Sequence, residues 1–417
     1  MNIRRSLAVA APLVAVAAGV PAVAAAAPWT APEKAEPASA ARAAAPNLGD
    51  FDLRAGSDRS TPLKALDKKL DKSGVGALLN ATGQRKLGGG CGRAAGVPSD
   101  SVVYCWNKED AATSKWIPQG VSSVSDATAD ETWGKGGKPL LVAWYAKSGV
   151  RLTFVNPAKR TYRHVLLVYP TMKDGKATYT DIGIHAGGIA WFGNKLYVAD
   201  TRAGLREFDM TQIYDLGKSK AGTTKKKGWV GLHGKTYYGH GYRYVMPQTG
   251  SWQHVKGKAP LKDCKGSGSL RTSWVSVDRT ARQQPALIAG EYCATASPKG
   301  RVATWPLKVG TGLVGSGGVA HATWAATLPD KKIQGGVRSH GYWWFTHNVD
   351  TTTGAKRGQL LVTSHDGRKW GDVVRRTISY GPEDLSCYRG QRRIWTVAEH
   401  ANKRALWGTL EEPCNRM

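Results

Sequence analysis

The chain has 417 residues, and 59 Lys and Arg against 31 Asp and Glu give it a formal charge of +28. A field of that size draws a protein to polyanions, which outside a cell are wall teichoic polymers, acidic glycans, anionic lipid surfaces or released DNA. The basic residues are spread along the chain with no helix-turn-helix, zinc-finger or RNP-like pattern, which argues against sequence-specific nucleic-acid recognition.

Residues 1–27 read as a signal peptide. Arg4 and Arg5 precede an apolar stretch over 7–20, and Ala22-Val23-Ala24 offers a small-x-small cleavage site. The stretch is short and broken by Pro12 and Pro21, unlike a membrane anchor. No later run is long and apolar enough to span a bilayer, so the expectation is a secreted or wall-associated product. Residues 28–90 read as an Ala/Pro-rich linker followed by a short amphipathic helix, with Leu63, Leu66 and Leu70 at helical spacing. Gly88-Gly89-Gly90 marks a hinge.

From 91 to 417 the pattern is β, with 50 Gly, 16 Trp and 15 Tyr in the whole chain. The segment IHAGGIAWFGNKLYVADTRAGLREFD at 184–209 holds three short strands joined by tight polar turns. Comparable strands read at LLVAWY (140–145), VRLTFV (150–155) and RHVLLV (163–168). Others read at YWWFT (342–346), LLVT (360–363) and IWTVAE (394–399). The segments PQGVSS, HAGGIA, IQGGVR and GPEDLS echo one another, and SLRTSW is a divergent fifth. Each couples a Gly or Pro turn to small residues, as innermost propeller strands require where backbones converge. The fold class expected is an all-β propeller with five blades. Further strands hidden between 223 and 267 raise the number to six or seven, and a β-sandwich is the rival architecture.

Six cysteines in an exported chain suggest three disulfides, and proximity favours Cys91–Cys105, Cys264–Cys293 and Cys387–Cys414. No C-x-x-C appears, and no His lies at ligand spacing beside a Cys pair, which argues against zinc.

No catalytic motif is complete. Glu383-Asp384 begins an inner strand, so one carboxylate is expected to face the channel. Glu383 there is either a Ca²⁺ ligand or a structural acceptor paired with Arg338. His185, Arg338 and His340 are candidates to share the channel mouth with Glu383, and Asp126 is a further channel carboxylate. A His185–Glu383 pair suits acid–base work, which keeps open a hydrolase or lyase acting on anionic glycans or phosphoesters. A lectin-like binder using exposed Trp is a third reading. Gln119 and Gln334 occupy matching positions and should share one rim of the propeller, whereas Gln84 precedes the Gly hinge. Exposed Gln on turns is what an acyl-transfer enzyme engages.

The blade text HAGGIAWFGNKLYVADTRAGL and the pair GPEDLS and IWTVAEH resemble a family of secreted actinobacterial β-propeller proteins, that of the dispase autolysis-inducing protein, over roughly residues 91–414. The resemblance implies seven blades, a less lysine-rich chain and a non-enzymatic role. It further implies that an extracellular transglutaminase cross-links the protein, with Gln84, Gln119 and Gln334 as candidate donors. Secreted proteases and anionic cell-wall polymers are the other partners implied.

Overall fold

The computed structural model describes residues 45–411 except 282, 283, 296 and 351. The predicted signal peptide and Cys414 lie outside the described residues.

Five four-stranded antiparallel sheets follow one another along the chain. The first blade runs Ile117–Ser123, Leu140–Ala146, Gly149–Asn156 and Thr161–Lys173. The second is Ile189–Phe192, Lys195–Asp200, Gly204–Asp209 and Tyr244–His254. The third is Trp274–Asp278, Ala286–Gly290, Arg301–Lys308 and Trp324–Thr327. The fourth is Ile333–Ser339, Tyr342–His347, Arg357–Ser364 and Val374–Tyr380. The fifth takes Ser386–Tyr388, Arg393–Ala398 and Ala405–Leu410 from the C-terminal part, and its outermost strand is Val102–Tyr104. A strand from before the first blade thus completes the last one. Cys91–Cys105 ties down the end of that strand.

The first strand of each blade is innermost, and these five strands form a closed ring. A methyl group on Gly120 would meet Ile189 N of the second blade at 2.9 Å, and one on Gly188 would meet Val275 N of the third at 2.4 Å. Ser276 Oγ donates to Gly336 O of the fourth at 2.5 Å. A methyl group on Gly335 would lie 2.6 Å from Asp384 Cα, at the start of the fifth. Ser386 Oγ returns to the first blade by donating to Asp126 Oδ2 at 2.6 Å. Backbones this close leave no room for Cβ, which is the physical reason for the Gly-led echo in the sequence. The architecture is a five-bladed β-propeller, not the seven blades implied by the resemblance.

Between the blades lie large aromatics. Eight tryptophans, among them Trp144, Trp191, Trp274 and Trp395, are under 2 % exposed. Each buries about 150–250 Å² of side chain, so these layers carry much of the hydrophobic stabilisation.

Two expectations for residues 28–90 change. From Leu48 onward the segment is bound to the propeller rather than a free linker. Phe51 and Leu53 are buried, and Leu53–Ala55 pairs with both Tyr244–His254 and Val319–Ala320. The amphipathic stretch forms two helices, Ser60–Asp67 and Val75–Asn80. Gly88 is no hinge, because its N–H donates to Cys105 O at 2.8 Å and its carbonyl accepts from Cys105 N at 3.2 Å. The suspected strands after Thr223 exist but make no blade. Gly222–Thr223, Val230–His233 and Thr236–Gly239 form a separate small sheet inserted into the second blade.

Candidate functional site at the mouth of the axial channel

The ring of inner strands carries a polar column, and its mouth holds most of the residues singled out above. Glu383 is 1 % exposed and shares a hydrogen bond with Glu399. Gln334 Nε2 donates to Glu383 Oε1 at 3.1 Å, and Gln119 Nε2 donates to Glu399 Oε2 at 2.9 Å. The two matching glutamines do sit on one rim, and each clamps one member of a carboxyl pair. Burial first, then the charge and hydrogen bond of Glu399, hold the Glu383 carboxyl well above its usual range. Glu399 is raised too, mainly by burial. Two desolvated carboxylates in contact repel, so the pair favours holding a proton, and Glu383 is the member pushed up more strongly.

Tyr145 flanks this pair, and its ring meets that of His185 with centroids 4.4 Å apart. Burial, helped by Glu399 and Glu383, raises the Tyr145 phenol. His185 borders water, yet desolvation by the surrounding protein pulls its pKa down to about 4. His185 is neutral there at physiological pH.

One step deeper, Asp384 Oδ2 accepts from Val121 N at 3.2 Å and Ile189 N at 3.0 Å. A single carboxyl so joins the first, second and fifth blades. Its Oδ1 has no hydrogen-bond partner among the described residues. Burial raises Asp384 well above the ordinary value against the pull of those N–H groups, and Asp126 adds to the rise. Deeper still, Asp126 Oδ2 accepts from Ser122 Oγ at 2.7 Å, Ser386 Oγ at 2.6 Å and Ser123 N at 3.2 Å.

Three sequence expectations are corrected. Arg338 pairs with Asp278 (3.4 Å), not Glu383, and His340 N donates to Thr280 Oγ1 at 2.6 Å. Arg338 lies at the far end of the inner strand Ile333–Ser339 and His340 just beyond it, a strand's length from Gln334, because register fixes which end a side chain reaches. Gln119 is 1 % exposed, at odds with acyl donation from the folded chain. Gln84 Nε2 is held by Leu78 O (2.6 Å) and Ala81 O (3.2 Å), and Gln334 is partly covered.

The donor set does not fit calcium. A hard cation that seeks about six to eight oxygens needs several converging ligands, and among the described residues Glu383 belongs to no group of three His, Cys, Asp or Glu side chains close enough to share an ion. Among the described residues, the group of side chains close enough to share an ion is Cys264, Glu291 and Cys293, and those two cysteines form a disulfide. Cys387 is disulfide-bonded as well. Nor does the carboxyl pair fit glycoside hydrolysis, which sets its two carboxyls about 5–5.5 Å or about 6.5–9.5 Å apart around substrate and water. Hydrogen-bonded carboxyls leave no such gap.

Sequence reasoning missed Glu399 and Tyr145 as members of the site, and it gave Asp384 no role of its own. Tyr145 lies near the end of Leu140–Ala146 and Glu399 just after Arg393–Ala398, strands that the sequence places within a residue of those bounds. The pairing that brings Tyr145 opposite Ile117 would have placed it at the mouth.

No protein-family model matches the chain, and no curated protein sequence does. Among solved structures, the WD40 repeats of RRP9 align at 11 % identity and a TM-score of 0.32, covering 76 % of this chain and 99 % of that one. A putative oxidoreductase of the glucose dehydrogenase type, from Thermus thermophilus, aligns at 9 % identity and a TM-score of 0.31, covering 72 % and 98 %. Hydrazine synthase of Kuenenia stuttgartiensis aligns at 13 % identity and a TM-score of 0.31, covering 69 % and 78 %. At these scores the likenesses say nothing about chemistry. The blade pairing described above makes this chain a β-propeller.

Proposed function

We propose that this protein is an exported, cationic β-propeller that adheres to anionic polymers outside the cell and acts as an interaction protein rather than a hydrolase. The carrying observation is how the charges are partitioned. Ten Asp and Glu are buried among the described residues, against four Arg and no Lys. With 59 basic against 31 acidic residues in the chain, the surface of the described residues is left more positive still. Such a surface attracts polyanions over a distance set by ionic strength. Export rests on residues 1–27, and the two disulfides Cys91–Cys105 and Cys264–Cys293 suit an oxidising compartment. The carboxyl pair at the mouth, held together and clamped by Gln119 and Gln334, supports the non-enzymatic half of the reading.

Exposed lysines also make the chain an amine partner for an extracellular transglutaminase. As carboxamide donors, Gln334 and Gln84 remain ahead of the buried Gln119. Contact with secreted proteases rests on the family resemblance alone. Co-sedimentation with cell walls bearing anionic polymers, compared with walls stripped of them, tests the main reading. Retention should fall sharply on the stripped walls; equal retention on both would defeat it.

A further inference from the structure

Resting on that reading, we infer that the adhesive surface is the insertion in the second blade, and that its occupant is a linear anionic carbohydrate or polyol polymer. Residues 216–242 contain six lysines, Lys218, Lys220, Lys225, Lys226, Lys227 and Lys235, and no Asp or Glu. Among the described residues, the lysines that form ion pairs, Lys72, Lys195 and Lys256, lie elsewhere. The run from Lys225 to Lys227 is therefore an uncompensated patch on a built structure rather than a loose solvated loop. Lys226 Nζ sits 4.1 Å from the Trp229 ring centroid. Trp229 stacks on His233 at 4.4 Å and meets Tyr238 edge-on at 4.9 Å. His240 Nδ1 bonds Lys227 O at 3.1 Å, and its Nε2 reaches Asp181 of the first-blade hairpin at 3.0 Å.

At the base of the same insertion is a cavity of about 290 Å³, lined by Ser73, Asn80, Thr82, Lys218, Arg243 and Tyr244 among others. Arg243 is neutralised by two 2.8 Å contacts with Asp215. Lys218 is thus the lining cation without an ionic partner among the described residues. One unpaired ammonium amid hydroxyl and amide groups suits a unit that carries both hydroxyls and one negative charge. Nucleic acid is disfavoured because single strands need free aromatic faces for base stacking, and the Trp229 ring is already engaged by Lys226, His233 and Tyr238. Phosphate on a polyol chain and carboxylate on a sugar chain share the chemistry required.

The test measures binding of the whole protein to poly(glycerol phosphate), polygalacturonate and duplex DNA across a salt series. Three proteins are compared: wild type, Lys225→Ala/Lys226→Ala/Lys227→Ala, and the charge-matched control Lys308→Ala/Lys356→Ala/Lys369→Ala. The insertion variant should lose about tenfold in affinity for the better glycan polymer and lower its salt slope by roughly 2–3, with the control close to wild type. Lys218→Ala should weaken binding further, and Thr82→Val should weaken it without altering the slope. Equal losses in the two triple variants would leave general adhesion standing and overturn this site. Tighter binding to DNA than to both glycans would overturn the occupant. Absence of wild-type binding to any polymer would remove the adhesion reading and this inference with it. The preferred glycan identifies whether phosphate or carboxylate is the natural charge.

Discussion

Asp110 and Glu383 are each 1 % exposed, yet the molecule treats them in opposite ways. Asp110 lies in the first turn of the short helix Lys108–Ala112, which Asn107 caps, and receives Arg151 Nη2 at 2.8 Å, Arg85 Nη1 at 3.0 Å and Tyr162 OH at 2.6 Å. Burial works to raise it, but His164, Arg151 and Tyr162 overcome that and hold it far below the usual carboxylate range. His164 itself is driven down to about 3, mainly by burial and then by Arg151, so it is neutral. A neutral His164 accepts from Thr153 at Nδ1 (2.7 Å) and donates to Asp110 from Nε2 (3.0 Å), leaving the guanidinium groups to balance the charge. Arg151 is in turn held between Trp116 and Trp144, at 4.8 and 4.7 Å from their centroids. Glu383 is held by a glutamine amide and a second carboxyl, and burial beside that carboxyl pushes it towards the protonated form. Burial alone thus decides neither state. A guanidinium in contact makes the first site ionic, and its absence makes the second neutral.

The largest way to break this contrast is Asp110→Ala, which strands Arg151 in the interior and should cost about 3–5 kcal/mol. Urea unfolding measures it, and a loss below about 1 kcal/mol would mean the site is not ionic. Next is Asp384→Ala, which deprives the Val121 and Ile189 N–H groups of their acceptor at about 1–3 kcal/mol each. Asp384→Asn keeps an acceptor and mimics the protonated acid, so it should cost much less. Equal damage from both substitutions would contradict a neutral Asp384.

Glu383→Gln sharpens the contrast through pH. The folded pKa of Glu383 lies well above 4.5, so its stabilising contribution is complete below about 4.5 and drains away as pH rises through the folded value. Gln cannot ionise, so the variant should gain in Tm relative to wild type between pH 5 and 9, in about that range. A constant difference over that range would refute the shared proton. His164 has the opposite sign. Its folded pKa is lowered from 6.5 to about 3, so its contribution is present above 6.5 and is lost as pH falls towards 3. The smallest expected effect is chemical rather than energetic: transglutaminase with a labelled amine should leave Gln119 unlabelled in the folded protein, and peptide mapping checks it. Labelling of Gln119 ahead of Gln334 and Gln84 would mean that the mouth opens.

Much of the ring is legible in the sequence because close backbone approach forces small residues. Gly120, Gly188 and Gly335 stand where a side chain would strike the next strand. The same constraint makes PQGVSS and IQGGVR echo, which places Gln119 and Gln334 on one rim from sequence alone. What those glutamines touch is not legible, since Glu399 lies 280 residues from Gln119. Local pattern carries no information about such a contact. Val102–Tyr104 escaped notice because three residues give too little alternation to mark a strand, and its partner, Ala405–Leu410, lies about 300 residues away, the last strand among the described residues. Asp110 escaped because its arginines come from separate segments. The insertion is visible as a lysine run, while the Trp229 stack that organises it needs a tertiary fold.

The measurement that bears most directly on the account is the salt dependence of wild-type binding to a purified anionic wall polymer at neutral pH. With acids withdrawn into the interior and lysines left outside, log K should fall linearly with log salt, with a slope of several charges, on the order of −0.7 to −0.9 per contact. Affinity that holds steady from low to high salt, or equal affinity for an uncharged polymer of the same backbone, would contradict it.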